Sequence, residues 1–216
     1  MIPQANITGW QQVVPWSDDA QVEQDLVLSR ATCELFLSSA LVGKIAMRGG
    51  TALHKLVLVE SFRYSEDIDL VQINAKAIGG NELKHRVLDV KNPWFSGSAE
   101  IATFDNNELM ATRLRALYQR RKGRDLFDLW LCLDHQLVEP SKVVLGFLEY
   151  MQREGHSVSR AEFEANLHGK ESDDAFMSDI GPLLRPGIEY FPVTAMDRVR
   201  STIVSLLPGE PWRGCV

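Results

Sequence analysis

The residues of this chain best suited to chemistry are two carboxylates two positions apart, in Ser65-Glu66-Asp67-Ile68-Asp69-Leu70, and the glycine pair that precedes them in Met47-Arg48-Gly49-Gly50-Thr51-Ala52-Leu53. On a strand, a spacing of two sends both carboxylates to one face, where they repel each other unless a cation lies between them. With no His or Cys beside them, Asp67 and Asp69 offer hard oxygen donors, a set that suits Mg²⁺ (or Mn²⁺) better than zinc. Gly49 and Gly50 let backbone N–H groups approach a polyphosphate, and Thr51 adds a hydroxyl. The stretch from Thr51 onward can start a helix whose N-terminal end favours anions. Each half alone has an ordinary reading, a plain turn and a solvated strand end. The two in this order, with Arg63 and Ser65 leading into the acids, point to a nucleoside triphosphate and a metal as ligands.

The elements needed to hold these groups are legible along the first half. Ser17, Asp18 and Asp19 form a helix start, and Val22, Leu26, Cys33 and Phe36 recur at helical spacing, which predicts a long helix to about Leu41. A short strand from Lys44 to Met47 enters the glycine turn, a helix runs from Thr51 to about Glu60, and Ile68 to Ile73 is the strand bearing the carboxylates. Arg86 to Val90 and Ser98 to Phe104 are further strands. Beyond Asp105 the pattern turns helical: one helix from Asn106 or Asn107 to Lys122-Gly123, one opening at Asp125, and others at 141–154, 160–167, 173–184 and 195–207. The expectation is an α+β chain, with a small mixed sheet in an α/β module at 1–105 and an α-helical module at 106–216.

Composition bounds the rest. At 216 residues, 45% hydrophobic and 24% charged, the chain can bury one good core or two small ones. The sequence has no apolar run long enough to span a membrane and no basic-then-apolar leader after Met1, so it reads as cytoplasmic. Cys33, Cys132 and Cys215 lack metal-ligand spacing and are odd in number, which fits a reducing compartment. The net charge of −6 disfavours a dedicated nucleic-acid binder. Its distribution is uneven, however: Arg113, Arg115, Arg120, Arg121, Lys122 and Arg124 fall between Leu109 and Arg124 with no acid among them. That stripe can hold a triphosphate or an RNA backbone.

Taken together, Gly49-Gly50-Thr51-Ala52-Leu53 and Phe62-Arg63-Tyr64-Ser65-Glu66-Asp67-Ile68-Asp69-Leu70 resemble the glycine-hydroxyl plus Asp-x-Asp signature of the DNA polymerase β nucleotidyltransferase superfamily. Within it they resemble the AbiEii/AbiGii toxins, the MenT-like nucleotidyltransferases of bacterial toxin–antitoxin pairs. The segment from Glu108 through Gly123-Arg124-Asp125-Leu126-Phe127-Asp128-Leu129 extends the resemblance. In the family a basic helix and a Gly-Arg-Asp-x-x-Asp-Leu turn lie beside the nucleotide pocket.

The resemblance implies transfer of a nucleoside monophosphate from an NTP to an RNA hydroxyl, plausibly at a tRNA 3′ end. Asp67 and Asp69 would be catalytic and metal-holding, and Arg113 and Asp125 catalytic. Gly49, Gly50, Thr51, Arg113, Arg120 and Arg124 would bind the nucleotide. It also implies a growth-arresting or phage-defence role and a winged-helix antitoxin partner. From spacing alone, a salt-bridged surface, with Asp125 capping a helix and Asp128 paired to Arg124, stands as an alternative for the basic segment.

Two departures from the family pattern stand out. Arg113 occupies a position that is lysine in most relatives, and a planar fork is not equivalent to a point charge at a phosphate. Only 37 residues separate Leu70 from Glu108, as though a strand bearing a third acid had been removed. Asp89 and Glu100 are the candidates left for that acid. A shortened, catalytically impaired relative that binds nucleotide or partner is therefore a second reading, and a phosphotransferase acting on protein hydroxyls a third.

Overall fold

A computed structural model describes residues 2–14, 16, 18–58, 60–73 and 83–214. The fold is α+β, with two compact units: Met1–Asp105 with Pro182–Ile188, and Asn106–Gly181 with Glu189–Val216. A boundary drawn once after Asp105 therefore misses a segment from late in the chain that returns to the first unit.

The first unit holds helices α1 (Gln4–Gln11) and α2 (Asp19–Leu37), then strand β1 (Ile45–Arg48) and helix α3 (Gly49–Ala52), which continues as one π-helical stretch, Leu53–Val57. Strands β2 (Asp69–Gln72), β3 (Lys84–Lys91) and β4 (Ser96–Thr103) complete a mixed sheet in the order β2-β1-β4-β3. β1 runs antiparallel to β2 and parallel to β4, and β3 and β4 form an antiparallel pair. The helical stripe read from the sequence is the one that packs on the sheet: Val22, Leu26, Cys33 and Phe36 of α2 are buried, as are Ala99 and Ile101 of β4. Asp18 caps α2 by accepting from the Ala20 N–H at 2.8 Å, while Ser17 lies outside the described residues. The helix stops at Leu37, earlier than expected, because Ser38 is already extended at ψ 121°.

The second unit comprises α4 (Asn106–Gln119), α5 (Gly123–Asp134), α6 (Pro140–Arg153), α7 (Arg160–Glu171), α8 (Asp174–Ser178) and α9 (Pro192–Thr202). Its core joins Leu114 and Leu117 of α4 to Phe147 of α6 and Phe163 of α7, all of them without exposure. Burial on that scale contributes about 1.5–3 kcal/mol per side chain. The single helix expected over 173–184 is broken, since Gly181-Pro182 cannot continue it: proline lacks the N–H and disfavours helical geometry at the residue before it. A short 3₁₀ turn, Gly181–Leu183, follows instead. Among the described residues no helix is long and apolar enough to cross a membrane.

Lys170 is a buried cation in this unit, 2% exposed. Its ammonium donates to the last carbonyls of α4, at Leu117 and, at 3.3 Å, Tyr118, and to the Asn166 side chain. Burial, with Arg121 nearby, pushes its pKa down to about 8. A lysine lowered in the folded state binds fewer protons there than when unfolded between that value and its ordinary 10.5, so its penalty is full below about pH 8 and is relieved as pH rises through this window. Wild type should therefore gain stability relative to Lys170→Met between about pH 7 and about pH 10, a trend that thermal unfolding of the two proteins at both pH values would check.

Candidate active site

The carboxylate pair and the glycine turn belong to the first unit and meet at one end of β1 and β2. Strand register sets Arg48 opposite Asp69, so Gly49 begins where Asp69 begins. Gly49 has φ +79°, and a Cβ built on it would lie 2.0 Å from Oδ2 of Asp69. No other residue type allows this approach, because the left-handed backbone is unfavourable for L side chains and the space is already taken by the carboxylate. Gly49→Ala should cost about 1–2 kcal/mol of stability from the backbone alone and should displace Asp69. Urea unfolding and a Mn²⁺ titration would register the two effects separately.

Asp67 and Asp69 are exposed. Among the described residues neither carboxylate forms an ion pair or side-chain hydrogen bond. Two exposed carboxylates two positions apart, one of them, Asp69, at the glycine turn, offer hard oxygen donors only and fit a divalent ion that keeps water and substrate oxygens in its remaining positions. The fit is to a two-carboxylate site. Among the described residues no group of three or more His, Cys, Asp or Glu side chains is placed to hold a metal.

Asp89 and Glu100 do not supply the third acid. The β1–β4 pairing aligns Met47 with Thr103, so Phe104 comes level with Arg48 and Asp69. Glu100 lies four residues back and two strands across, about 16 Å from Asp69 on strand and sheet spacings, and Asp89 is farther still. Both are exposed, and Glu100 instead lies 3.6 Å from His85 Nδ1. Residues 74–82, most of the stretch from Asn74 to Val90 where a family segment was read as missing, lie outside the described residues.

Thr51 is placed differently from the phosphate donor expected. It is buried, 1% exposed, and its hydroxyl donates to the Asp67 carbonyl while standing 2.7 Å from Ser65 Oγ. With one hydroxyl hydrogen committed to that carbonyl, Ser65 must be the donor between the two hydroxyls. Thr51 and Ser65 thus fasten the carboxylate loop to the helix after the glycines, and Gln24 Nε2 adds a bond to the Glu66 carbonyl at 2.7 Å.

The helix itself is anchored from below by residues that motif reading missed. Lys55 Nζ reaches Asp25 Oδ1 at 2.7 Å and Ser29 Oγ at 2.9 Å, and Trp10 Nε1 donates to Asp25 Oδ2 at 2.8 Å. The available signal was Asp25 and Ser29 falling on the apolar face of α2, where an unpaired carboxylate would be costly. The π-helical turn, closed by Leu58 N–H to the Leu53 carbonyl, carries Lys55 in its last turn.

In the second unit the basic stripe is largely neutralised. Arg115 pairs with Glu154 at 2.6 Å, Arg121 with Asp173 at 2.8 Å, and Lys122 and Arg124 approach Asp179 at 3.5 and 3.7 Å. Arg113 spans Asp125 at 2.8 Å and Asp128 at 3.2 Å, and Arg120 makes two bonds to Asp125, at 2.7 and 2.8 Å. Five carboxylates thus face six cations. The strong local field inferred from residues 109–124 is largely offset by Asp125 and Asp128, which follow the stripe directly, and by Glu154, Asp173 and Asp179 from farther along the chain.

The structure brings Arg113, Arg120, Asp125 and Asp128 together. Asp128 pairs with Arg113, and the N-cap of α5 is Lys122 rather than Asp125. Asp125 and Asp128 have no exposure and Arg113 has 8%. Burial alone would depress the Arg113 pKa, yet the Asp128 and Asp125 carboxylates raise it above the ordinary value, so the guanidinium stays charged. Arg113 is therefore occupied by protein carboxylates. Arg120, whose side chain is 52% exposed, is the guanidinium of this cluster with a surface to offer a phosphate. Arg124 approaches Asp179, its backbone N–H donating to Oδ2 at 3.2 Å.

Against known proteins, the family model described as nucleotidyl transferase AbiEii toxin, type IV TA system, matches residues 33–90 and 81–193. The two stretches overlap at residues 81–90. A comparison with curated protein sequences finds no match. Among solved structures, the chain is similar to MenT4, a nucleotidyltransferase toxin from Mycobacterium tuberculosis H37Rv, with a TM-score of 0.61 at 16% identity over 96% of this chain and 91% of that one. At that identity the likeness is one of fold.

Proposed function

We infer the activity of this chain from a premise the family match supplies: it belongs to the AbiEii nucleotidyl transferase toxins. Its substrate is then an NTP, from which a nucleoside monophosphate passes to an RNA hydroxyl, with a tRNA 3′ end the first acceptor to try. The observation that carries this reading is the exposed carboxylate pair of Asp67 and Asp69, with Asp69 packed against a glycine whose φ of +79° leaves room for it.

In this reading Asp67 and Asp69 hold Mg²⁺ or Mn²⁺, which when bound neutralises polyphosphate charge and lowers the pKa of the attacking hydroxyl. Gly49 and Gly50 bring backbone N–H groups up to the phosphates at the start of a helix, where the dipole favours them. Thr51 holds the Asp67 carbonyl and is itself bonded to Ser65, which steadies the backbone that carries the carboxylates. The acceptor oxygen bonds to the α phosphorus as the bond to pyrophosphate breaks. Such transfer rests on positioning and electrostatics rather than on a protein nucleophile. The biological role is that of a toxin restrained by a cognate antitoxin, for which a winged-helix protein is the partner proposed.

The test is incubation of the purified protein with each labelled NTP, Mg²⁺ and total RNA, followed by a gel. Label in an RNA band is expected. A second reading, an impaired relative that binds nucleotide without transferring it, rests on one observation: among the described residues no third acid joins Asp67 and Asp69. Binding of a nonhydrolysable NTP with Mg²⁺ but no labelled RNA would select it.

A further inference from the structure

Between the π-helical turn and β2, residues 58 and 60–68 are not part of a helix or strand, yet a shared ion requires Asp67 and Asp69 to be held to a fraction of an ångström. Thr51, Ser65 and Gln24 hold the loop near the acids. What holds the residues just before them is a segment from far along the chain, Pro182–Ile188, which belongs to the first unit. Leu184 and Arg63 form an isolated antiparallel bridge. Tyr64 N–H donates to the Leu183 carbonyl at 2.7 Å, and Arg185 N–H donates to the Phe62 carbonyl at 3.0 Å. Arg185 also reaches Glu60 at 2.6 Å, and Gln21 Nε2 donates to the Pro182 carbonyl at 3.2 Å. Buried Leu183 and buried Tyr64, the latter edge-on to Trp16 at 5.8 Å, anchor the two sides.

We propose that Pro182–Ile188 is a positioning strap for the metal loop and that Arg185, through its main-chain N–H, is a positioning residue for Asp67 and Asp69. Two main-chain bonds fix Phe62 and Tyr64, and from Tyr64 only three residues lead to Asp67. Rotation about the remaining backbone angles is then limited by Ser65 and Glu66, each held in turn by Thr51 and Gln24. Removing the strap frees one end of this short span and lets the carboxylates spread under their own repulsion. The inference rests on the carboxylate pair being the metal site.

The test uses the full chain and Mn²⁺ as probe. Arg185→Pro deletes the N–H and should weaken Mn²⁺ affinity at least about five-fold, whereas Arg185→Ala, which retains it, should stay within about two-fold of wild type. Equal affinity in wild type and Arg185→Pro overturns the strap. A wild-type protein that binds no Mn²⁺ overturns the carboxylate-pair reading and this inference with it. Should Arg185→Pro fail to fold, hydrogen exchange in the wild type decides. Coupling is reciprocal, so Mg²⁺ must slow exchange of the Tyr64 and Arg185 amides if the strap positions its ligands. Exchange at both amides unchanged by Mg²⁺ overturns the proposal.

Discussion

Asp67→Ala and Asp69→Ala each abolish Mg²⁺-dependent nucleotide transfer and leave the protein as stable as before, or slightly more so. Both carboxylates are exposed, and among the described residues neither has an ionic partner to lose. The fold therefore gives up nothing when one is removed, and the repulsion between the two disappears. The activity, by contrast, loses one of two protein ligands to the ion, and a residual ion held by a single carboxylate binds far more weakly. Labelled-NTP transfer should fall by at least about 10³-fold, the scale of losing a principal electrostatic stabiliser, while the urea midpoint holds or rises. Transfer at wild-type rates in both variants would remove the metal assignment.

Arg113→Met has the opposite signature, a large loss of stability. The guanidinium is 8% exposed and lies against two carboxylates that have no exposure. Met fills much of the volume but takes from Asp128 its Arg113 ion pair and from Asp125 one of its two guanidinium partners. Breaking a buried pair from one side costs about 3–5 kcal/mol, a large share of the roughly 5–15 kcal/mol that holds a domain together. Arg113→Lys should fall between. One ammonium restores the charge, but it cannot span Asp125 and Asp128 as the Nη1 and Nε donors do, at 2.8 and 3.2 Å. Urea unfolding should rank the three proteins wild type, then Lys, then Met. A Met variant as stable as wild type would show that the cluster relaxes or takes up water.

What sequence reading recovered, and what it missed, separates along physical lines. The glycine turn, the strand that Asp69 opens and the apolar stripe of α2 were legible because local spacing determines them: a period of two or of 3.6 residues, and a backbone only glycine adopts; Asp67 lies in the loop before that strand. The Thr51 hydroxyl's bond to the Asp67 carbonyl was not legible, because its residue type suits a phosphate as well as a carbonyl and only the path of the chain from Ser65 to Asp67 brings that carbonyl to it. The basic stripe was overestimated for a related reason. Glu154, Asp173 and Asp179 lie far enough along the chain that no window holding Arg115, Arg121 and Lys122 contains them. Asp25 with Lys55 is another such pair, visible only as a polar residue on an apolar helix face. The break near Gly181-Pro182 was readable from the proline, but nothing local indicated that the residues after it return to Phe62 and Tyr64.

That return also has a consequence in time. Arg63 and Leu184 are 121 positions apart, and the bridge between them cannot form on the ribosome until most of the second unit has already been made. Domains otherwise tend to complete themselves in the order of synthesis, and contacts between distant parts of a chain are among the slowest to close. Here the N-terminal unit emerges first and finishes late. Until Arg185 is available, the segment ahead of Asp67 and Asp69 has an unpaired backbone edge, and the carboxylates are held from one side only. On the strap proposed above, the carboxylates of a nascent chain gain their second support only after residue 188 has been made.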